Sequence, residues 1–126
     1  MTQNLKKMRF LVADDEAGWR DLLSFELFSQ ERDIVTACSA HEALKLLDQQ
    51  SFDLIISDVQ MPGHLDGIDL IQTYRREKPA QKAILITGYA VEEKIERALA
   101  DGAVLFLKKP FESEDLFKAI DCLLHA

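Results

Sequence analysis

The sequence predicts an α/β fold: a doubly wound, five-stranded parallel sheet with helices on both faces. Three observations lead there. Short apolar runs alternate with amphipathic helical patterns along the whole chain, which is the signature of repeated strand–helix units. The runs are nearly continuous in apolar residues, as in strands covered on both faces, and do not alternate as half-exposed strands do. Right-handed crossovers then limit five such strands to a doubly wound arrangement.

Strands are expected over residues 9–13 (Arg-Phe-Leu-Val-Ala), 53–57, 83–87 and 104–107. A weaker run over 34–37 reads as an edge strand. Helices are expected over 17–28, 40–47, 68–76, 91–100 and 114–124. The fourth stops at Asp101-Gly102, a good C-terminal signal, and Ser113 is a candidate cap for the fifth. The first helix is unusual. Beside the stripe Trp19, Leu23, Leu27 it carries Leu22, Phe25 and Phe28, which spread beyond one buried face. That pattern fits either a larger core contact with the last helix or an exposed apolar patch for a partner. Exposure of Phe25 and Phe28 decides between the two.

A chain of 126 residues is one ordinary domain, and 48% hydrophobic residues support a real core. The net charge of −7 argues against direct binding of nucleic acid, because phosphate backbones repel it. Cys38 and Cys122 lie far apart without metal-ligand or redox spacing, and are expected as small packed residues in a reducing compartment. No apolar run approaches the length of a membrane span. Lys6 and Lys7 precede no long apolar stretch, so no signal peptide is expected and a cytoplasmic location is. The sequence carries no internal repeat or low-complexity linker.

In doubly wound sheets the ligand site lies beyond the carboxyl ends of the strands, and the chemically useful residues fall there. Asp14, Asp15 and Glu16 follow the first strand, and Ser57 and Asp58 close the third. Thr87 closes the fourth, with Gly88 after it. Lys108 and Lys109 follow the fifth, before Pro110. Carboxylates crowded in one mouth repel one another, and a hard divalent cation such as Mg²⁺ relieves that repulsion. A charge-neutralised Asp58 can then act as a carboxylate nucleophile and form an acyl phosphate. Lys109 and the Thr87 hydroxyl can meet the phosphoryl oxygens, and Gly88 leaves room for them. Each residue alone has a blander explanation: acids at a helix N-terminus, an aspartate in a turn, a strand threonine, a solvated lysine pair. Their joint placement outweighs these. Lys108 keeps the bland reading of exposed charge. His41, His64 and His125 form no site, and His64 is expected on a surface loop. Trp19 is expected to pack or to cover the edge of the pocket.

The strings Val12-Ala-Asp-Asp-Glu16, Asp58-Val-Gln-Met-Pro62 with Asp66-Gly67, Thr87-Gly88 and Lys109-Pro110-Phe111 resemble the receiver domain of two-component response regulators, of the chemotaxis-regulator kind. The resemblance runs over about residues 8–124. It implies a flavodoxin-like three-layer α/β/α fold with strand order 2-1-3-4-5, and a single receiver domain over 1–126 with no output domain. It implies phosphorylation at Asp58. Mg²⁺ (or Mn²⁺) would be held by Asp15, Asp58 and the backbone carbonyl of Gln60, with Asp14 acting through a bound water. Thr87, Gly88 and Lys109 would meet the phosphoryl group, Phe106 would be the aromatic switch, and the Lys109–Pro110 bond would be cis. The implied phosphodonor is a histidine kinase or phosphotransfer protein. The readout would be a changed surface of the fourth helix, fifth strand and fifth helix toward an output domain or protein partner, with a homodimer as a further form and no membrane partner. Such a domain is a signalling switch that assists its own phosphorylation and dephosphorylation, not an enzyme.

Three departures stand out. Gly63-His64-Leu65 looks like a one-residue insertion beside Asp58, which a loop tolerates at small entropic cost. Phe106 lacks a hydroxyl, so packing alone would hold its inward state. Gln60 and Tyr89 occupy positions that govern water access, and Tyr89 is expected to shield an acyl phosphate. Two rival readings are weaker. An aspartyl-phosphate phosphatase of the haloacid dehalogenase kind needs an acid two residues after its nucleophile, where Gln60 cannot transfer protons. A receiver that only binds partners would be expected to lack part of the set Asp14, Asp15, Asp58, Lys109, and all four are present.

Overall fold

The computed structural model describes residues 7–88, 93, 96, 99 and 102–125. Strands β1 (Met8–Ala13), β2 (Arg32–Ala37), β3 (Leu54–Asp58), β4 (Ala83–Thr87) and β5 (Val104–Lys108) form one parallel sheet in the order β2-β1-β3-β4-β5. Helices α1 (Ala17–Leu27), α2 (Ala40–Gln49), α3 (Gly67–Arg75) and a last helix (Ser113–Leu124) cover it. The predicted helix over 91–100 lies largely outside the described residues. Within it Glu93, Glu96 and Leu99 are helical, and Leu99 is buried.

The apolar runs divide residue by residue between two cores, because successive strand side chains point to opposite faces. On one face Leu11 and Ala13 of β1, Ile55 of β3 and Leu85 of β4 pack with Ala43 and Leu47 of α2 and Leu70 and Ile71 of α3. On the other, Phe10 and Val12, Leu54 and Ile56, and Ile84 and Ile86 pack with Leu23 and Leu27 of α1 and Leu116, Ile120 and Leu123 of the last helix. Both faces are therefore dry, which is why the strands read as continuous rather than alternating. β2 is the exception. It is an edge strand, only its last residue is fully buried, and it starts earlier than the apolar pattern alone suggests because Arg32 and Asp33 pair in register with Met8 and Arg9.

Local signals set the helix starts. The Ser39 hydroxyl accepts from the Glu42 backbone N–H at 3.1 Å and caps α2. Asp66 caps α3 in a reciprocal box. Its carboxylate accepts from Asp69 N–H at 2.8 Å, and the Asp69 carboxylate accepts from Asp66 N–H at 3.1 Å. The last helix is capped by Glu112 and not by Ser113, which is its first helical residue. The Asp115 carboxylate accepts from Glu112 N–H at 3.0 Å, a partner a serine one residue later could not share.

Two expectations are settled by exposure. Phe25 and Phe28 are 80% and 78% exposed and Leu22 47%, so the extra apolar residues of α1 form a surface patch and not a core contact. Cys38 and Cys122 are both exposed, against the expectation that they are packed. Cys38 stands just past the end of the edge strand, its sulfur 3.6 Å from Glu42 Oε2, and Cys122 lies on the outer side of the last helix, between the buried Ile120 and Leu123.

Gly67 ties this frame to the end of β3. Its N–H donates to the Val59 carbonyl at 2.8 Å, and a Cβ placed on it would collide with the backbone carbonyl of Asp58. Only a residue without a side chain lets α3 come so close. Gly67→Ala is expected to lower stability by about 1 to 3 kcal/mol through overpacking, measured as a lower urea midpoint with unchanged slope.

Candidate functional site

A cavity of about 740 Å³ opens at the carboxyl ends of the strands. It lies where the chain's path through the sheet reverses between β1 and β3, the place where doubly wound sheets bind ligands. Asp15 and Glu16 line it from the β1 end, Asp58 and Gln60 from the β3 end, Gly88 from the β4 end and Lys109 from the β5 end. His64, Asp66 and Asp69 close it on the α3 side.

The backbone holds the acids in place. Asp14 is buried, and its carboxylate accepts from Glu16 N–H at 2.9 Å while its carbonyl accepts from Arg20 Nη1 at 2.8 Å. Asp58 is the last residue of β3 and is buried. The Gln60 backbone N–H hydrogen-bonds to its carboxylate, and its carbonyl accepts from the Ser57 hydroxyl at 2.9 Å. Lys109 places its ammonium 3.7 Å from Asp58 Oδ2, and its backbone N–H donates to the Thr87 carbonyl at 2.8 Å. The Lys109–Pro110 peptide is cis, as expected. Thr87 is buried at the end of β4, and Lys108 is exposed.

Burial raises the Asp14 carboxyl from its ordinary 3.8 to about 6, with the charges of Asp58 and Asp15 adding to the rise and the Glu16 N–H and Lys109 opposing it. Burial likewise raises Asp58, against the pull of Lys109 and the Gln60 N–H. Among the described residues that line the cavity, the carboxylates of Asp15, Glu16, Asp58, Asp66 and Asp69 face one ammonium, that of Lys109. Asp14, Asp15 and Glu16 can each bring one carboxylate oxygen within 4.8 Å of the others. This all-oxygen, over-charged donor set fits a hard divalent cation. Asp14, Asp15 and Asp58 were expected from the sequence to be near it. Glu16 was not, although its place directly after the acid pair was a signal.

Gly88 lines the cavity, and a Cβ on it would meet nothing within 4 Å among the described residues. Phe106 is half-buried on β5 opposite Leu85 and packs on the α2–α3 core. His64 is exposed at the cavity rim, whereas its neighbour Leu65 packs on the core and anchors the inserted loop. Gly63 makes that loop's turn with φ of 104°. The shielding expected of Tyr89 lies outside the described residues. Trp19 does more than cover an edge: its ring lies 4.4 Å from the Lys109 ammonium and 5.8 Å from the Phe111 ring.

The pattern of the response regulator receiver domain matches residues 10–121. The chain belongs to the response regulator receiver family. Phosphorylation-dependent switching is the function of that family. Among similar proteins, an uncharacterized 14.6 kDa protein of Leptolyngbya boryana is 38% identical over 120 residues, spanning 94% of this chain and 91% of that one. The transcriptional regulatory protein GlrR of Escherichia coli is 33% identical over 92% of this receiver but only 26% of its own length. The receiver thus spans about a quarter of that regulator. Among solved structures, the response regulator protein TrrA of Thermotoga maritima, in complex with Mg(2+)-BeF, matches with a TM-score of 0.81 and 33% identity over 93% of this chain and 99% of that one. No helix among the described residues is long and apolar enough to cross a membrane.

A carboxyl raised in the folded state favours the protonated form there, so its contribution to stability is full below pH 3.8 and falls as pH rises toward 6. Without metal, Asp14→Asn is expected to stabilise the receiver at pH 7.5 by about 1 to 3 kcal/mol, since an amide oxygen still accepts from Glu16 N–H. Urea unfolding in chelator at pH 4.5 and 7.5 checks this: the gain should fall to about a third at the lower pH, which still lies above the unfolded value of 3.8.

Proposed function

We propose that Asp58 is the phosphoacceptor of a signalling switch. The observation that carries this reading is the buried Asp58 carboxylate at the end of β3, facing an open cavity with the Lys109 ammonium 3.7 Å away. A buried carboxylate with one cation just beyond hydrogen-bonding distance is a restrained nucleophile whose partner is free to turn to a newly arrived anion.

In the reaction an oxygen of Asp58 forms a bond to phosphorus while the bond from phosphorus to the donor breaks. With a phosphohistidine donor, the imidazole nitrogen keeps the electron pair and takes up a proton from water. The donor is a histidine kinase or phosphotransfer protein. Asp14, Asp15, Asp58 and the Gln60 carbonyl would hold Mg²⁺ (or Mn²⁺), with Glu16 within reach of the same cluster. When bound, the cation supplies charge neutralisation for the acids and for the phosphoryl oxygens. Lys109 pairs with a phosphoryl oxygen, the Thr87 hydroxyl donates to another, and Gly88, without a side chain, admits the group.

The readout is population shift between two packings of one fold. Thr87 and Lys109 sit at the ends of adjacent strands joined by a backbone hydrogen bond. A pull on both is therefore felt in β5, where Phe106 is half-buried. The changed surface is that of the helix predicted over 91–100, β5 and the last helix, and its reader is an output domain or a protein partner, a second copy of the chain included. Residues 1–126 act as one receiver domain, working as a switch and not as an enzyme that turns over a substrate.

Incubation with acetyl phosphate and Mg²⁺, read by intact mass, is expected to add one phosphoryl group, and Asp58→Asn or chelation of the metal to abolish the gain. An unchanged gain in Asp58→Asn would overturn the assignment.

A further inference from the structure

We propose that the indole face of Trp19 is the seat that positions Lys109 for its work at Asp58. The inference rests on the function proposed above and adds to it a residue from α1.

Three distances carry it. The Lys109 ammonium lies 4.4 Å from the Trp19 ring centroid and 3.7 Å from Asp58 Oδ2. The Trp19 ring is in turn held against Phe111, with centroids 5.8 Å apart. An ammonium over an indole face is attracted by the ring quadrupole, and tryptophan is the strongest such partner among side chains. Phe111 belongs to the same segment as Lys109 and Pro110, so the ring is clamped between the lysine and a residue two places on. Trp19 packs on the core face of α1 that holds Leu23 and Leu27, so the seat is part of the rigid frame.

The seat answers a physical problem. A lysine side chain is long and flexible, and holding it in one place costs rotamer entropy. Left alone beside a buried carboxylate, it has two unproductive choices: it swings into water, or it closes on Asp58 and ties up the nucleophile. Trp19 offers a third position. It is near enough for Lys109 to reach a phosphoryl oxygen, yet it holds the ammonium beyond hydrogen-bonding distance of the carboxylate. Trp19 reaches the site through the Lys109 ammonium and does not line the cavity, so it is a positioning residue acting through Lys109.

Trp19 is the only tryptophan of the chain, so its emission reports on the seat directly. In metal-free protein, Lys109→Met is expected to change the intensity or wavelength of that emission. An unchanged spectrum overturns the seat, whatever the protein does with phosphate. The second arm is the rate of phosphoryl gain from acetyl phosphate by intact mass. Trp19→Leu, which keeps apolar bulk and loses the quadrupole, is expected to slow it roughly three- to thirty-fold, and Trp19→Phe to recover most of the loss. Urea unfolding separates this from a loss of folding. Equal rates in Trp19→Leu and the parent, or a Trp19→Phe variant as slow as Trp19→Leu, overturn the inference and leave the phosphoacceptor reading standing. A parent that gains no phosphate overturns that reading instead, and the emission arm still decides the seat.

Discussion

Burying negative charge is the constraint on which the rest of this molecule depends. A carboxylate taken from water costs several kcal/mol unless donors or cations meet it, and here Asp14 and Asp58 are both buried at neighbouring strand ends. Backbone N–H groups from Glu16 and Gln60 and one ammonium from Lys109 offset only part of that cost, since both carboxyls stay raised. The residual imbalance suits the site to a hard cation. In the proposed reaction that cation and Lys109 together would offset the charge of an arriving anionic group.

The fold makes the imbalance affordable by keeping the rest of the sheet dry and stiff. Each central strand splits its side chains between two apolar cores, so every residue before the strand ends is committed to packing. The polar atoms are left only at the carboxyl ends, where three parallel strands and the turn after a fourth open together. Gly67 then presses the start of α3 onto the backbone of Asp58, and the reciprocal Asp66–Asp69 cap holds that helix end. The acids have little freedom to move apart. Strain that would otherwise relax by local movement is kept as electrostatic potential in the cavity.

Much of this was legible in the sequence, for definite reasons. Strand period and charge position are local properties, so the run before Asp14 and the run before Asp58 announced both the sheet and its polar edge. The order of the strands and the cis bond at Pro110 followed from the family resemblance. What was not legible depends on side chains meeting across sequence distance. Lys109 on the face of Trp19 joins residues from opposite ends of the chain. The exposure of Phe25 and Phe28 could not be read from a helical wheel that left them between two faces. The packing expected for Cys38 and Cys122 failed because residue type gives only an average burial, and their places beside the edge strand and on the outside of the last helix overrule it. The cap at Glu112 was missed because Ser113 is the better capping residue by type, whereas the Glu112 backbone N–H is the one that reaches Asp115.

Among the described residues around the cavity, Lys109 is the cation, and its long flexible stem frees its charge from its backbone. Asp14 and Asp58 are fixed by backbone hydrogen bonds, whereas the Lys109 backbone is anchored to Thr87 and its ammonium travels on four methylenes. A switch needs such a division. If every charge were rigid, arrival of an anion would change nothing beyond the pocket. If every charge were loose, the anion would be absorbed by side-chain rearrangement. In the proposed switch, one cation that can leave its seat on an anchored backbone, at the junction of β4 and β5, would turn a new negative charge into a directed pull on two strands. The rest of the sheet, packed on both sides, is too stiff to dissipate such a pull, so the response would be confined to the β5 side, where burial is only partial.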